Sequence, residues 1–225
     1  MFSKEKTMII QIITSAIAIF IAIIFHEIAH GYVAWRFGDN TAKTSGRLSF
    51  NPLKHIDIFG TIILPAILFL SKSGFIFGWA KPVPVDYNAF KHKKRDIILV
   101  ASAGIIANII LACISVIFLK TSLFIAHNTF SGIMAMFWLN MIFFNILFAV
   151  FNILPIPPLD GSKILLGWSD NPKIKKFLAS EKNGIIAIIT ILFILPTLLQ
   201  TFGLNFNPLA YIIRNTTIFI ADLLI

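Results

Sequence analysis

The sequence predicts an all-α polytopic membrane protein. Of its 225 residues, 57% are hydrophobic, and its mean hydropathy is +0.87, whereas water-soluble domains are much more polar. Several apolar runs approach the about 20 residues that a helix needs to cross a hydrocarbon core of roughly 30 Å. Lys and Arg outnumber Asp and Glu by 19 to 10, but they lie mainly between these runs. We attribute their excess to the orientation of the protein in the membrane and to contact with anionic lipid, and we predict no nucleic acid as a partner.

Six apolar runs define the predicted elements. They occupy roughly residues 8–35, 58–70, 97–119, 133–154, 184–199 and 206–225. The second run has only about 13 residues, which is short for a span and typical of a re-entrant or half-spanning segment. The other five runs are predicted to be transmembrane helices.

The basic residues are concentrated in three of the loops between these runs. The loops at 36–57, 71–96 and 155–183 carry most of them, whereas 120–132 has one lysine and the last loop has none. The positive-inside rule places the three basic loops in the cytoplasm. Residues 58–70 would then enter the membrane and return on the same side.

The whole chain, residues 1–225, is predicted to form one membrane domain. Its core spans about residues 8–168, followed by C-terminal helices at about 184–225. A small β-strand element is expected near residues 82–85, because proline forces an extended backbone and is tolerated at a sheet edge. Such an edge can receive a substrate by strand addition. A plain rigid loop fits this segment equally well.

The first apolar run contains an ionisable cluster, HEIAH at residues 26–30. His26 and His30 are four residues apart, so on a helix they project from one face within reach of a single ion. Glu27 is turned aside from that face but is close enough to hold a water molecule. This spacing is a zinc-hydrolase signature with glutamate as the general base, and ionisable groups within a span are functional candidates. The alternative is a pair of packed structural histidines with an incidental glutamate.

A third ligand is predicted downstream, in the stretch FNILPIPPLDGSK. A catalytic zinc usually takes three protein ligands and keeps one position open. Pro155, Pro157 and Pro158 lack amide hydrogens and end the helix, and unwound backbone at membrane depth is tolerated where it lines a cavity. Asp160 would then turn its carboxylate to the zinc. Taken alone, the stretch fits equally well a proline-rich exit loop with a surface aspartate.

Together, HEIAH and NILPIPPLDG resemble the motifs of the site-2 protease family, the intramembrane zinc metalloproteases of peptidase family M50. The resemblance covers about residues 15–170 and is to the small family members, without PDZ or CBS domains. It implies that His26, His30 and Asp160 bind one catalytic Zn²⁺ and that Glu27 is the catalytic base.

Three further stretches are similar to that family. They are GRLSFNPLKHIDIFGT, FGWAKPVPV and ASAGIIAN. In the last of these, Gly104 and Asn108 are retained, whereas Ile105 replaces the family's proline and leaves the local backbone geometry open. The Asn108 amide is predicted to hydrogen-bond the substrate backbone or the oxyanion.

Weaker candidates complete the predicted substrate site. Asn152 belongs to the family-like motif NILPIPPLDG. The family likeness also supports substrate binding along Pro82, Val83 and Pro84. His55 is predicted to approach the site from the re-entrant segment, although an ordinary interfacial histidine fits its position slightly better.

The predicted function is hydrolysis of peptide bonds in or near the transmembrane segments of membrane-protein substrates. By resemblance, this is regulated intramembrane proteolysis at a bacterial inner or plasma membrane, with the active site toward the cytoplasm. Two alternatives belong to other classes. A metal transporter or metal-binding membrane protein would need further ligands along a path across the bilayer. A catalytically silent homologue that binds membrane partners would have no need of Glu27.

Overall fold

A computed structural model describes residues 4–70, 78–125, 129–178, 180–204 and 206–225. Within these ranges the chain forms helices and no β-strand, which confirms the all-α class. The α-helices are α1 (Lys4–Arg36), α2 (Thr41–Thr44), α3 (Leu64–Leu70), α4 (Lys93–Ile125), α5 (Thr129–Asn152), α6 (Asp160–Trp168), α7 (Pro172–Leu178), α8 (Glu181–Ile189), α9 (Leu195–Thr201) and α10 (Pro208–Leu224). A short 3₁₀-helix (Pro52–Lys54) and two π-helices (Ile58–Ile63 and Thr190–Ile194) lie between them.

Three helices of the described chain are long and apolar enough to cross a membrane. They are α1, α4 as far as Phe124, and α5. The 33 residues of α1 and of α4 correspond to about 50 Å at 1.5 Å per residue, so each extends beyond a hydrocarbon core of roughly 30 Å. The protein is therefore an integral, multi-pass membrane protein.

The two C-terminal runs form shorter helices. Residues 184–199 lie in a stretch that passes from α8 through the π-helix Thr190–Ile194 into α9 without a break, and 206–225 contains the 17-residue α10. Three of the five predicted transmembrane helices are thus present as single long helices, and the other two remain a prediction.

The long helices pack through small and branched side chains. One buried cluster joins α4, α5 and α10; its members are Ala112, Val116, Leu119, Ala135, Ile142, Ile146 and Ala221. Small residues allow membrane helices to approach closely. The opposite face of α4 exposes large apolar side chains such as Ile106 and Ile117, a surface that is stable against lipid tails rather than water.

The short apolar run at 58–70 is tied at its start to the chain that follows it. It consists of the π-helix Ile58–Ile63 and α3. The Trp79 N–H donates to the Gly60 carbonyl at 3.1 Å, and the Thr61 hydroxyl donates to the Trp79 carbonyl at 2.8 Å. The chain on either side of α3 is therefore brought together at residues 60–61 and 79.

The predicted β-strand near residues 82–85 is wrong: the described part of the chain has no strand here, and the rigid-loop alternative describes the segment better. Pro82 and Pro84 have no amide hydrogen to donate. The amide hydrogen of Val83, which lies between the two prolines, is donated to the Glu27 carboxylate instead of to a neighbouring strand. The Arg47 guanidinium donates to the Lys81 and Pro82 carbonyls at 2.8 and 3.2 Å, which fixes the loop from another direction.

Candidate metal centre and active site

Three buried side chains meet at one point: His26 and His30 of α1, and Asp160 at the start of α6. Asp160 Oδ2 lies 3.0 Å from His26 Nε2 and 3.1 Å from His30 Nε2, and the two Nε2 atoms are 3.0 Å apart. One ligand atom from each residue falls within 4.8 Å of the others, so the group can hold a metal ion. HEIAH and the proline-rich motif thus converge in space, as the sequence predicted.

The turn before α6 places Asp160. After α5 ends at Asn152, the chain turns through residues 153–159, and the Pro157–Pro158 peptide bond is cis. Gly161 packs directly on the end of α5, where a Cβ would overlap the Ile153 carbonyl. Glycine at this position therefore lets the first turn of α6 sit against α5.

The C-terminal helices hold this turn from the other side. Gly184 of α8 lies so close to the Pro157 carbonyl that a Cβ would overlap it. Leu159 packs in an apolar cluster with Ile188 of α8 and Leu209 of α10. The C-terminal helices therefore support the residue next to Asp160, although the sequence placed them outside the core.

The hydrogen bonds of the two imidazoles show that this group fits a cation. His26 Nδ1 lies 2.6 Å from Asn108 Oδ1, and His30 Nδ1 lies 2.7 Å from the Val100 carbonyl oxygen. Because these oxygens only accept, we assign the hydrogen of each ring to Nδ1, which leaves a lone pair on each Nε2 of a neutral ring. Two lone pairs and the Asp160 carboxylate then face one another, so the group can hold a cation, and this donor set is one that a zinc ion accepts.

A chain of amides fixes the orientation of the His26 ring. The Asn145 side-chain N–H donates to the Met141 carbonyl at 2.8 Å, which turns its Oδ1 toward Asn108. Asn108 Nδ2 donates to that oxygen at 2.8 Å and to the Ala22 carbonyl at 3.2 Å. Its own Oδ1 therefore faces the His26 N–H. Outer partners of this kind set the tautomer of metal-binding histidines.

Asn145 was not among the predicted site residues. It is fully buried where α5 packs on α4. Its role depends on its contact with Asn108 across the two helices, and no sequence motif marks it. Its seven-residue spacing from Asn152 indicated only that both lie on one helix face.

Gly104 gives the two histidines their space. A Cβ on Gly104 would lie 2.5 Å from His30 Nε2 and 2.6 Å from His26 Cε1. Together with Val100 and Asn108, Gly104 forms a stripe at four-residue spacing along α4 that faces the metal group. The retained glycine of ASAGIIAN is therefore explained by the lack of space for a side chain beside the two histidines.

We expect Gly104→Ala to lower the metal content of the purified protein several-fold. The added methyl group would push against both imidazoles, and overpacking of this kind typically costs about 1–3 kcal/mol. Elemental analysis of metal per chain measures the effect. Gly132→Ala is the matched control, since Gly132 also lies in a long helix and nothing lies within 4 Å of its Cβ position. Full metal content in Gly104→Ala would contradict this account.

Lys163 is a second neighbour of the metal group that was not among the predicted site residues. Its Nζ donates to Asp160 Oδ1 at 3.3 Å, while Oδ2 faces the histidines. Burial lowers the pKa of the Lys163 ammonium, but Asp160, Tyr87 and Glu27 together raise it by more, so the net pKa is raised. The i, i+3 spacing on α6 was a usable signal for this contact.

Glu27 lies beside the metal group but outside it. Its Oε2 accepts the Val83 N–H at 2.7 Å, while its neighbour His26 belongs to the group. Val83 can come this close to α1 because Gly31 has no side chain: a Cβ there would lie 2.8 Å from Val83 Cγ1. The loop at 82–84 therefore positions one oxygen of Glu27.

Comparison with known proteins places the chain in a family. The profile of peptidase family M50 matches residues 122–197, which include α5, the proline-rich turn and Asp160. YwhC of Bacillus subtilis, named as a candidate zinc metalloprotease, is 38% identical over 185 residues, which cover 80% of each chain. The chain belongs to peptidase family M50. Rip2 of Mycolicibacterium smegmatis and of Mycobacterium tuberculosis, both named in the same way, are 33% and 30% identical over 181 residues, or 79% of this chain and 65% of each relative. No solved structure matches significantly.

One predicted departure from the M50 pattern is structurally mild. Ile105, which replaces a proline in the family element, is buried within α4, and the helix runs through it without interruption. Because isoleucine keeps the amide hydrogen that proline lacks, the α-helix needs no kink here.

Other predicted M50 substrate-site residues lie in different surroundings. Both Asn108 side-chain N–H groups are donated within the protein, so contact with a substrate would require one of them to be released. Asn152 donates to the Phe148 carbonyl of its own helix at 3.0 Å. His55 is buried, and its Nε2 lies 2.7 Å from the Ser49 carbonyl oxygen. Among the described residues, Asn108 is therefore hydrogen-bonded to the metal group, through His26, whereas Asn152 and His55 are not.

Proposed function

We propose that this M50 protein is an intramembrane zinc metalloprotease that hydrolyses peptide bonds in or near transmembrane segments of membrane proteins. The observation that carries the proposal is the convergence of His26, His30 and Asp160 with Glu27 at their side. Two neutral imidazoles and one carboxylate are a catalytic zinc set, which leaves a coordination position open. When bound, zinc would supply Lewis acidity toward the scissile carbonyl.

Glu27 is the proposed general base. Its Oε2 is held by the Val83 N–H, so Oε1 is the oxygen that can take a proton. It would accept a proton from the attacking water and pass it to the nitrogen of the leaving amine, so that the peptide bond yields a carboxylate and an amine. His26 and His30 keep their Nδ1 hydrogens throughout, because Asn108 and the Val100 carbonyl accept them.

We also propose that the active site opens toward the cytoplasm. The Asp86 N–H donates to the Asp39 carboxylate at 2.8 Å, and the Arg95 guanidinium lies 5.7 Å from the centre of the Phe37 ring. These contacts put the end of α1 beside the start of α4, which supports a re-entrant course for residues 58–70. His30 precedes the end of α1 at Arg36 by six residues, or about 9 Å of helix, so water has a short path from that side.

A metal transporter is less well supported. Transport would need further ligands along a path across the bilayer, and within the described ranges His26, His30 and Asp160 are the sole group of three or more suitable side chains. This favours a fixed catalytic ion over an ion in transit.

The test of the proposal is metal removal and return. We expect the purified protein to hold one zinc per chain and to cleave a model transmembrane substrate in proteoliposomes. A chelator should abolish cleavage, and stoichiometric zinc should restore it, whereas magnesium should not, because Mg²⁺ prefers oxygen ligands. Cleavage by the metal-free protein, or a zinc-loaded protein that cleaves no membrane substrate tested, would count against it.

A further inference from the structure

A basic surface lies near the start of α4, away from the metal group. We define it by seven side chains from two parts of the chain: Lys91, Lys93, Lys94, Arg95, Lys173, Lys175 and Lys176. All are exposed or half-exposed. The first four precede or begin α4, and the last three belong to α7.

One carboxylate joins the two halves of this surface. Asp170 Oδ1 lies 2.5 Å from Lys94 Nζ and 3.4 Å from Lys175 Nζ. The two ammonium groups hold the pKa of the Asp170 carboxyl below its usual range. Beneath this contact, the end of α6 packs on α4: a Cβ on Gly167 would lie 2.9 Å from the Lys94 carbonyl oxygen. The start of α4 and α7, which carry the seven cations, are therefore adjacent, and we call this basic region the patch.

Apolar side chains accompany the cations. Trp168, at the end of α6, is 80% exposed, and Ile174 and Phe177 of α7 are 39% and 46% exposed. An exposed tryptophan beside lysines is typical of the boundary between hydrocarbon and headgroups, where its ring lies among the headgroups.

The position of the patch relative to the bilayer follows from α4. α4 begins with the four charged residues Lys93–Asp96 and is apolar from Ile97 onward, so the patch lies at the end of α4 where the helix leaves the hydrocarbon core. Phospholipid headgroups occupy this level. Among the described residues, two carboxylates pair with the patch: Asp170 with Lys94 and Lys175, and Asp96 with Arg95. Seven cations against two carboxylates leave a net positive charge, which complements an anionic headgroup.

From this juxtaposition of cations, exposed aromatic rings and a span end, we infer that the patch binds the headgroups of anionic phospholipids. The lysines would contact headgroup phosphates, and Trp168 and Phe177 would enter the interface beside them. The inference does not depend on the proposed proteolytic activity.

Such binding would act on one end of α6. The nine residues of α6 run from Asp160 to Trp168, a length of about 13 Å. Headgroups bound at Trp168 would therefore fix the helix that carries Asp160 at its other end.

The test measures lipid selectivity of the full-length protein. Detergent-solubilised protein is equilibrated with equimolar phosphatidylglycerol and phosphatidylcholine, and the retained lipids are quantified by native mass spectrometry. We expect wild type to retain at least about fivefold more phosphatidylglycerol, since each basic residue near a surface contributes to anionic-lipid binding. The triple variant Lys173→Gln, Lys175→Gln, Lys176→Gln should retain the two lipids within about twofold of equality.

The matched control removes the same charge elsewhere. Lys4→Gln, Lys6→Gln, Lys120→Gln changes three lysines at the other ends of α1 and α4, and it should keep the wild-type ratio. Circular dichroism checks that each variant is folded, and the single variant Lys176→Gln, which should lower the ratio partway, replaces the triple variant if the latter is not. No preference in wild type, or equal loss in the variant and the control, would overturn the inference.

Discussion

Glu27→Gln should abolish cleavage of a membrane substrate while the protein keeps its full metal content. Glutamine is nearly the same size, and its carbonyl can still accept the Val83 N–H that now lies 2.7 Å from the carboxylate. The ligand atoms on His26, His30 and Asp160 are untouched. What is lost is a group that can take a proton from water, and general bases contribute roughly 10²–10⁴-fold to rate.

Metal per chain and cleavage rate, measured on the same preparation, separate these two effects. Glu5→Gln is a suitable control, because Glu5 lies in the first turn of the same helix, far from the metal group. It should behave like wild type in both measurements. Substantial activity in Glu27→Gln would show that another group is the base, and loss of metal would show that Glu27 helps to hold the ion.

Asp160→Asn should instead release the metal. The carboxylate supplies the negative charge opposite two imidazole lone pairs, 3.0 and 3.1 Å away. An amide has no charge, and it can turn an N–H toward those lone pairs and satisfy them without an ion. We therefore expect a loss of metal affinity greater than the roughly 10–100-fold that removal of an outer hydrogen-bond partner costs.

Competition with a chromogenic zinc chelator measures this affinity. Asp170→Asn is the control, since Asp170 is an exposed aspartate ten residues further on whose ion pairs in the described chain are with Lys94 and Lys175. Its zinc affinity should equal that of wild type. Tight metal binding by Asp160→Asn would mean that the third ligand is another group.

The metal group could be predicted because local rules determine much of it. Four-residue spacing puts His26 and His30 on one helix face whatever the rest of the fold does. Three prolines ahead of Asp160 predict a break in the helix. That break made Asp160 a candidate third ligand but fitted an exit loop equally well. The resemblance to a family favoured the ligand, since spacing alone does not say which distant carboxylate completes the group.

The parts that could not be predicted depend on how helices face one another. Asn145 orients Asn108 only because α5 and α4 pack with those residues in register. The proline-rich loop suggested a strand, yet the amide of Val83 found a carboxylate on α1 rather than a neighbouring strand. A sequence pattern can predict that the backbone is extended, but the partner of each N–H depends on the tertiary structure.

The packing of the C-terminal helices against the turn before Asp160 has a consequence for the synthesis of the protein. Gly184 and Leu209 support the turn that carries the third side chain of the metal group, whereas HEIAH lies in the first helix. Because a ribosome synthesises the N-terminus first, His26 and His30 enter the membrane well before Asp160 is held in place by the C-terminal helices. A nascent chain that stops before α10 would carry all three side chains but would lack the packing of Leu209 near Asp160, so we expect peptide hydrolysis to begin only when α10 has been inserted.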